Sequence, residues 1–135
     1  MTTTPLDIAA QFWRRWNERD WAALTPLLAS DYRHHVGDRS YTLAQFRTGC
    51  EALFAAMPDY QIATLQVIAD GALIAVRWRG RGSHVAPYRD EAPTNTTITI
   101  HGMHVHRVTG AAIAEDWESV DLLGMARQMG LRLGR

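Results

Sequence analysis

The chain has no lysine: all 14 of its basic residues are arginine. Without a side-chain amine no internal Schiff base can form, which excludes pyridoxal-type and imine-forming aldol chemistry. It has one cysteine, Cys50, so no internal disulfide is possible, whereas a secreted protein of this size often carries several. Net charge is also missing, because 14 acidic residues cancel the arginines and leave no global field to gather nucleic acid or an anionic membrane. No apolar run approaches the roughly 20 residues that a bilayer-spanning helix needs. Met1 to Asp7 is polar and acidic where a secretory signal is basic and then apolar. These absences set the expectation of one cytoplasmic domain, residues 1–135, with a neutral or weakly charged small ligand and neither nucleic acid nor membrane as partner.

What is present is a hydrophobic content of 47%, enough for a real core. Thr4-Pro5-Leu6-Asp7 supplies a cap, a proline at the first helical position and an early acid. Ile8, Ala9, Phe12, Trp13 and Trp16 then recur near helical spacing, predicting a helix to about Glu18. Asp20 caps a short second helix through Leu28, and Tyr32 to Val36 reads as extended or loop-like. Thr42-Leu43-Ala44-Gln45 is a capping box that opens a third helix, which Pro58 stops.

From Tyr60 the pattern turns to strands, 61–69 and 72–82, joined at Asp70-Gly71. After a loop with Pro87 and Pro93 come strands 96–108 and 111–120 around Thr109-Gly110, then a short helix capped by Asp121 and ending at Gly130. Helices followed by an antiparallel meander predict an α+β fold, with the helices on one face of a curved sheet.

Alternation places Ile74, Val76 and Trp78 on one face and Arg77, Arg79 and Arg81 on the other. The same rule turns Ile98, Ile100, Gly102, His104 and His106 inward. On the last strand the inward set is Ala112, Ala114, Asp116, Glu118 and Val120, unless a bulge swaps it. Alternation alone equally allows Asp116 and Glu118 on a solvated face with Trp117 buried. If they do face inward, two carboxylates with Cα atoms roughly 6.5 to 7 Å apart repel in a partly dry pocket, and one pKa should rise. His101, His104 and His106 raise the question of a metal. His-x-His is common in strands, however, and no glutamate follows at the offset of a cupin site, so neither metal nor cofactor is expected. His34 and His35 read as a surface pair, of interest only for their place before the third helix.

Several motifs, in order, carry a resemblance. They are Asn17-x-x-Asp20, Asp31-Tyr32 leading to His35, Met57-Pro58-Asp59-Tyr60, Val76-Arg77-Trp78 and Gly82-x-His84. Ala92-Pro93-Thr94, His104-x-His106-Arg107-Val108, Ile113 through Glu118 and Gln128-Met129-Gly130 follow. From Phe12 to Leu131 the chain resembles the SnoaL-like polyketide (ester) cyclases of the nuclear transport factor 2-like superfamily. The resemblance implies a cone-shaped α+β barrel and turns both acids inward. The cyclases typically carry Glu-His-Trp-Asp on the last strand, the final aspartate being the acid/base, and an upstream histidine faces it. The matching positions are Glu118 for that aspartate, Asp116 for the motif histidine and His104 for the upstream histidine. Two of these depart from the family pattern: Glu118 reaches one methylene further, and Asp116 replaces a possible donor with a second acid. His35 matches a substrate-oxygen contact, while Trp16, Tyr32 and Trp78 line the pocket and His106 joins them from the inner face.

The implied reaction is a cofactor-free intramolecular aldol cyclisation of a polyketide-like carbonyl compound. Glu118 is expected to take the α-proton, His104 to stabilise the ketone oxygen, and Asp116 to orient His104 and tune Glu118. Alternatives are epoxide opening by the paired acids, ring hydroxylation or double-bond isomerisation on the same fold, or a pocket that only binds. Outward Trp117 with Arg77, Arg79 and Arg81 predicts a homodimer through the sheet.

Overall fold

The computed structural model describes residues 3–130, so Met1 and the last residue of the resemblance, Leu131, lie outside them. The first helix, α1 (Pro5–Glu18), starts at a reciprocal capping box between Thr4 and Asp7 and buries Ile8, Ala9, Phe12, Trp13 and Trp16. Its end is tied to the sheet by Asn17, whose side-chain amide both donates to the Ile62 carbonyl and accepts from the Ile62 N–H, each at 2.9 Å. Asp20 caps α2 (Trp21–Leu24), and a 3-10 turn (Thr25–Leu27) leads straight into β1 (Leu28–Val36). A tight turn at Gly37, with φ of 60°, then gives β2 (Arg39–Thr42) and the capped α3 (Leu43–Ala56). The meander follows as β3 (Gln61–Asp70), β4 (Leu73–Ser83), β5 (Thr97–Thr109) and β6 (Ala112–Val120), with α4 (Leu122–Met129) capped by Asp121. No helix among the described residues is long and apolar enough to cross a membrane.

The sheet order is β2-β1-β6-β5-β4-β3. Every neighbouring pair is antiparallel except β1 with β6, so the sheet is mixed. The expected α+β architecture is present, with the helices on a mostly antiparallel sheet that is open, β2 and β3 standing at opposite edges. Tyr32 to Val36 is extended, the first of the two readings left to it. One expectation needs correction: the second helix ends at Leu24 rather than running through Leu28, where β1 already begins, and the four residues of β2 went unseen because so short an edge strand shows no alternation.

The inward sets of β4 and β5 are buried as alternation requires. On β6 a register shift falls between the pairs Arg107 with Glu115 and Val108 with Ile113, so Ala114 is the extra residue. Ile113 is therefore fully buried, while Ala112 and Ala114, expected under the helices, are only half-buried. The bulge lies before the two acids, so Asp116 and Glu118 keep the inward parity.

Candidate active site

Strand register assembles the site. On the inner face one rung runs His34, Asp116, His106, Ile74 across β1, β6, β5 and β4, and the next runs Val36, Glu118, His104, Val76. His34, His104, His106 and Asp116 are all buried. A cavity of about 750 Å³ opens above them, lined at depth by Trp13, Trp16, His34, Trp78, His104 and Glu118.

Hydrogen bonds determine most of the protons. Trp78 Nε1 donates to His104 Nδ1 at 2.9 Å, so neutral His104 carries its proton on Nε2. Burial pushes this imidazole pKa down to about 4 against the pull of Glu118 and Asp116, which keeps it neutral near pH 7. Trp13 Nε1 donates to His106 Nε2 at 3.0 Å, which leaves Nδ1 of that ring as the donor to Asp116. The other Asp116 oxygen accepts the Tyr32 hydroxyl at 2.5 Å. Burial pushes the Asp116 carboxyl up, but His106 and the Tyr32 hydrogen bond outweigh it and hold the pKa below its ordinary value. Tyr32, buried and beside that carboxylate, is driven well above the ordinary phenol range.

The Tyr32 oxygen, its proton directed at Asp116, lies 3.2 Å from His34 Nδ1. His34 Nε2 lies 2.9 Å from Glu118 Oε1. A carboxylate can only accept, so the hydrogen of that contact comes from His34 Nε2–H. Burial raises the Glu118 pKa, yet the His34 hydrogen bond and the nearby histidines prevail and the net direction is down. Both strand acids are thus lowered: Asp116 does push the Glu118 pKa up, as repulsion requires, but the histidines outweigh it and no net upward shift results. Among the described residues the other Glu118 oxygen has no hydrogen-bond partner.

The structure brings Glu118, His104, Trp16 and Trp78 to the cavity. It sets Asp116, His106 and Tyr32 in a buried layer beneath it, and Asp116 makes no hydrogen bond to His104. His35 faces the other way: it bonds Ser40 at 2.7 Å and Glu115 at 2.8 Å and stacks on Trp117. Arg107 and His35 together hold the Glu115 carboxyl below its ordinary pKa on that outer face. The residue missed is His34, read as surface. Tyr32 and His35 are three apart and cannot share a strand face, whereas alternation from buried Tyr32 selects His34. His34, His104 and Glu118 present ligand atoms within 4.8 Å of one another, a two-histidine, one-carboxylate set. In this set the His104 lone pair is already engaged by Trp78.

Among curated protein sequences no relative is detected. Solved structures match along nearly the whole chain. AclR, a candidate hydroxylase from Streptomyces galilaeus, superposes with a TM-score of 0.88 at 18% identity, covering 96% of this chain and 97% of that one. IdmH, a candidate polyketide cyclase from Streptomyces antibioticus, gives 0.83 at 24%, covering 93% and 98%. A candidate SnoaL-like polyketide cyclase from Jannaschia sp. CCS1 gives 0.86 at 13%, covering 98% and 95%. At such identities these likenesses establish the fold. The family itself follows from a sequence model, SnoaL-like polyketide cyclase, that matches residues 7–129, and the chain belongs to that family.

Proposed function

We propose that this protein catalyses the intramolecular aldol cyclisation of a hydrophobic, polyketide-like β-dicarbonyl substrate without a metal or cofactor. The observation that carries the reading is the Glu118 carboxylate, held at 2.9 Å by His34 with its second oxygen free, in an aromatic-walled cavity that His104 also lines. The free oxygen of Glu118 removes the α-proton, whose electron pair becomes the enolate. The enolate carbon attacks a further carbonyl, outside the β-dicarbonyl unit but in the same molecule, forming the ring C–C bond as that C=O π bond opens to an alkoxide. His104 Nε2–H donates to the oxygen on which charge develops, and the Glu118–His34 pair returns a proton to that alkoxide. Trp13, Trp16 and Trp78 present the faces that hold an apolar substrate folded.

Epoxide opening was attractive while two strand acids were expected to share the pocket. Of the two, only Glu118 reaches it. A panel of an aromatic β-ketoester that carries a side-chain ketone, an epoxide and a β,γ-unsaturated ketone, with products separated by chromatography and read by mass spectrometry, separates the readings. The expected result is an isobaric cyclic aldol, or its dehydrated form, from the first alone. Turnover of the epoxide alone would replace this reading with the hydrolytic one, and binding without turnover of any member would make the pocket a carrier.

The outer face supports a homodimer. One row across all six strands runs Ser40, His35, Trp117, Val105, Ala75, Ile68. In and beside it Trp117, Ile68, Leu73 and Met103 are exposed. Apolar area of this kind is normally covered. Sedimentation velocity should give a dimer, and Trp117→Glu, which stacks a charge into that row, should give a monomer with an unchanged circular dichroism spectrum. A native monomer at micromolar concentration would remove the dimer.

A further inference from the structure

We propose that Trp78 is a positioning residue that keeps this site a proton-handling one, because its indole N–H occupies the only lone pair His104 has for a cation and so denies a metal the His34, His104 and Glu118 cluster. A neutral imidazole has one lone pair. In His104 that pair is on Nδ1, where it accepts from Trp78 Nε1 at 2.9 Å. A cation bound at Nδ1 would displace the indole. A cation bound at Nε2 would force the proton onto Nδ1, where it would point at the indole N–H, donor against donor. Either route costs the Trp78 hydrogen bond, so the argument does not depend on which ring nitrogen faces the cluster.

The indole is well held for this task. Trp78 is buried and pairs across the sheet with Gly102, two residues from His104. A Cβ at Gly102 would come within 2.2 Å of Trp78 Cζ2, so the indole lies against bare backbone that only glycine leaves open. Trp13 stands edge-on to His104, with ring centroids 4.8 Å apart, and packs beside Trp78. Trp13 imposes the opposite tautomer on His106, because its N–H occupies Nε2 and turns Nδ1–H toward Asp116. Two indoles thus hold two neighbouring histidines in opposite tautomers: His104 keeps its proton on Nε2, and His106 keeps its proton on Nδ1, facing Asp116.

The proposal rests on the acid/base reading for its purpose, since a donor at His104 serves a substrate oxygen. Its test uses no substrate, so the two can fail separately. In native protein labelled with ¹⁵N-histidine, long-range proton–nitrogen spectra at neutral pH should show His104 protonated at Nε2 with Nδ1 accepting. Trp78→Phe keeps a ring in place but removes the donor. It should mix the His104 tautomers and bind Co²⁺ at least about tenfold more tightly than native protein, the lower end of what hydrogen-bond partners of a ligating side chain contribute to metal affinity. That gain should vanish in the Trp78→Phe, His104→Ala double variant. His104 protonated at Nδ1 in native protein, or Co²⁺ bound equally well by native protein and Trp78→Phe, overturns the proposal. If Trp78→Phe does not fold, native protein decides alone: an Nε2–H tautomer with no Co²⁺ response at His104 supports it, and an Nδ1–H tautomer or tight binding through His104 sinks it.

Discussion

Glu118→Gln should lower kcat by at least about 10²-fold, the lower bound for loss of a positioned general base, while the protein stays folded. Glutamine is nearly isosteric and its carbonyl can still accept from His34, so the 2.9 Å contact has a replacement. What disappears is the free carboxylate oxygen that faces the cavity. The pH profile gives a second check. The Glu118 pKa is lowered in the folded protein, so its carboxylate persists as pH falls through the ordinary glutamate range, about 4.3. The acid limb of kcat/KM should accordingly lie below that range and be absent from the residual activity of the variant. By the same sign, Glu118 contributes stability that is present above the unfolded-state pKa and is lost as pH falls through the lower folded value. Turnover by Glu118→Gln within a few fold of native would assign the base elsewhere, with His34 next in line because its Nε2 lies 2.9 Å from Glu118 in the same cavity.

The parts of this site that could be read from sequence are those that period-two alternation controls. Asp116, Glu118, His104 and His106 all fall on the inner face as their parity requires, and the bulge at Ala114 disturbs only the residues before them. Depth was not legible. Asp116 and Glu118 share a face, but the shorter side chain is captured below the cavity by His106 and Tyr32, and the longer one reaches past that layer to His34. The expectation that Asp116 orients His104 failed for the same reason: that ring is turned by a hydrogen-bond donor on β4, and nothing in one strand's pattern reveals what the next strand donates. The parallel union of β1 with β6 brings His34 to the site, across 84 positions from Glu118. Local pattern does not encode such a pairing. The family resemblance pointed to the right segment of β1 but to His35, whose side chain stacks on Trp117 outside.

Asp116→Ala should be the costliest single change to stability in the site, by about 2 to 6 kcal/mol, since each buried donor left without its acceptor costs about 1 to 3 kcal/mol. Asp116 is 0% exposed and accepts from both the His106 Nδ1–H and the Tyr32 hydroxyl, so alanine leaves two buried donors without an acceptor and a gap between them. Against a typical total of about 5 to 15 kcal/mol, such a loss should move the urea midpoint at pH 7 well down. Asp116→Asn should fall between, because its one oxygen can serve one donor while its NH₂ faces the other. The acid limb tests the cause. The Asp116 pKa is lowered in the folded state, so the stabilisation is present above about 3.9, its unfolded value, and fades as pH drops through the folded one. Native protein should therefore lose stability steeply in that window, and Asp116→Ala should lose much less there, the two curves converging at low pH. Folded Asp116→Ala should also keep far more of its kcat than Glu118→Gln does, since Asp116 does not line the cavity and makes no direct hydrogen bond to Glu118. Parallel stability curves with a constant offset would show that packing rather than the carboxylate's charge holds this layer. Equal losses of kcat in the two variants would instead place Asp116 in the chemistry.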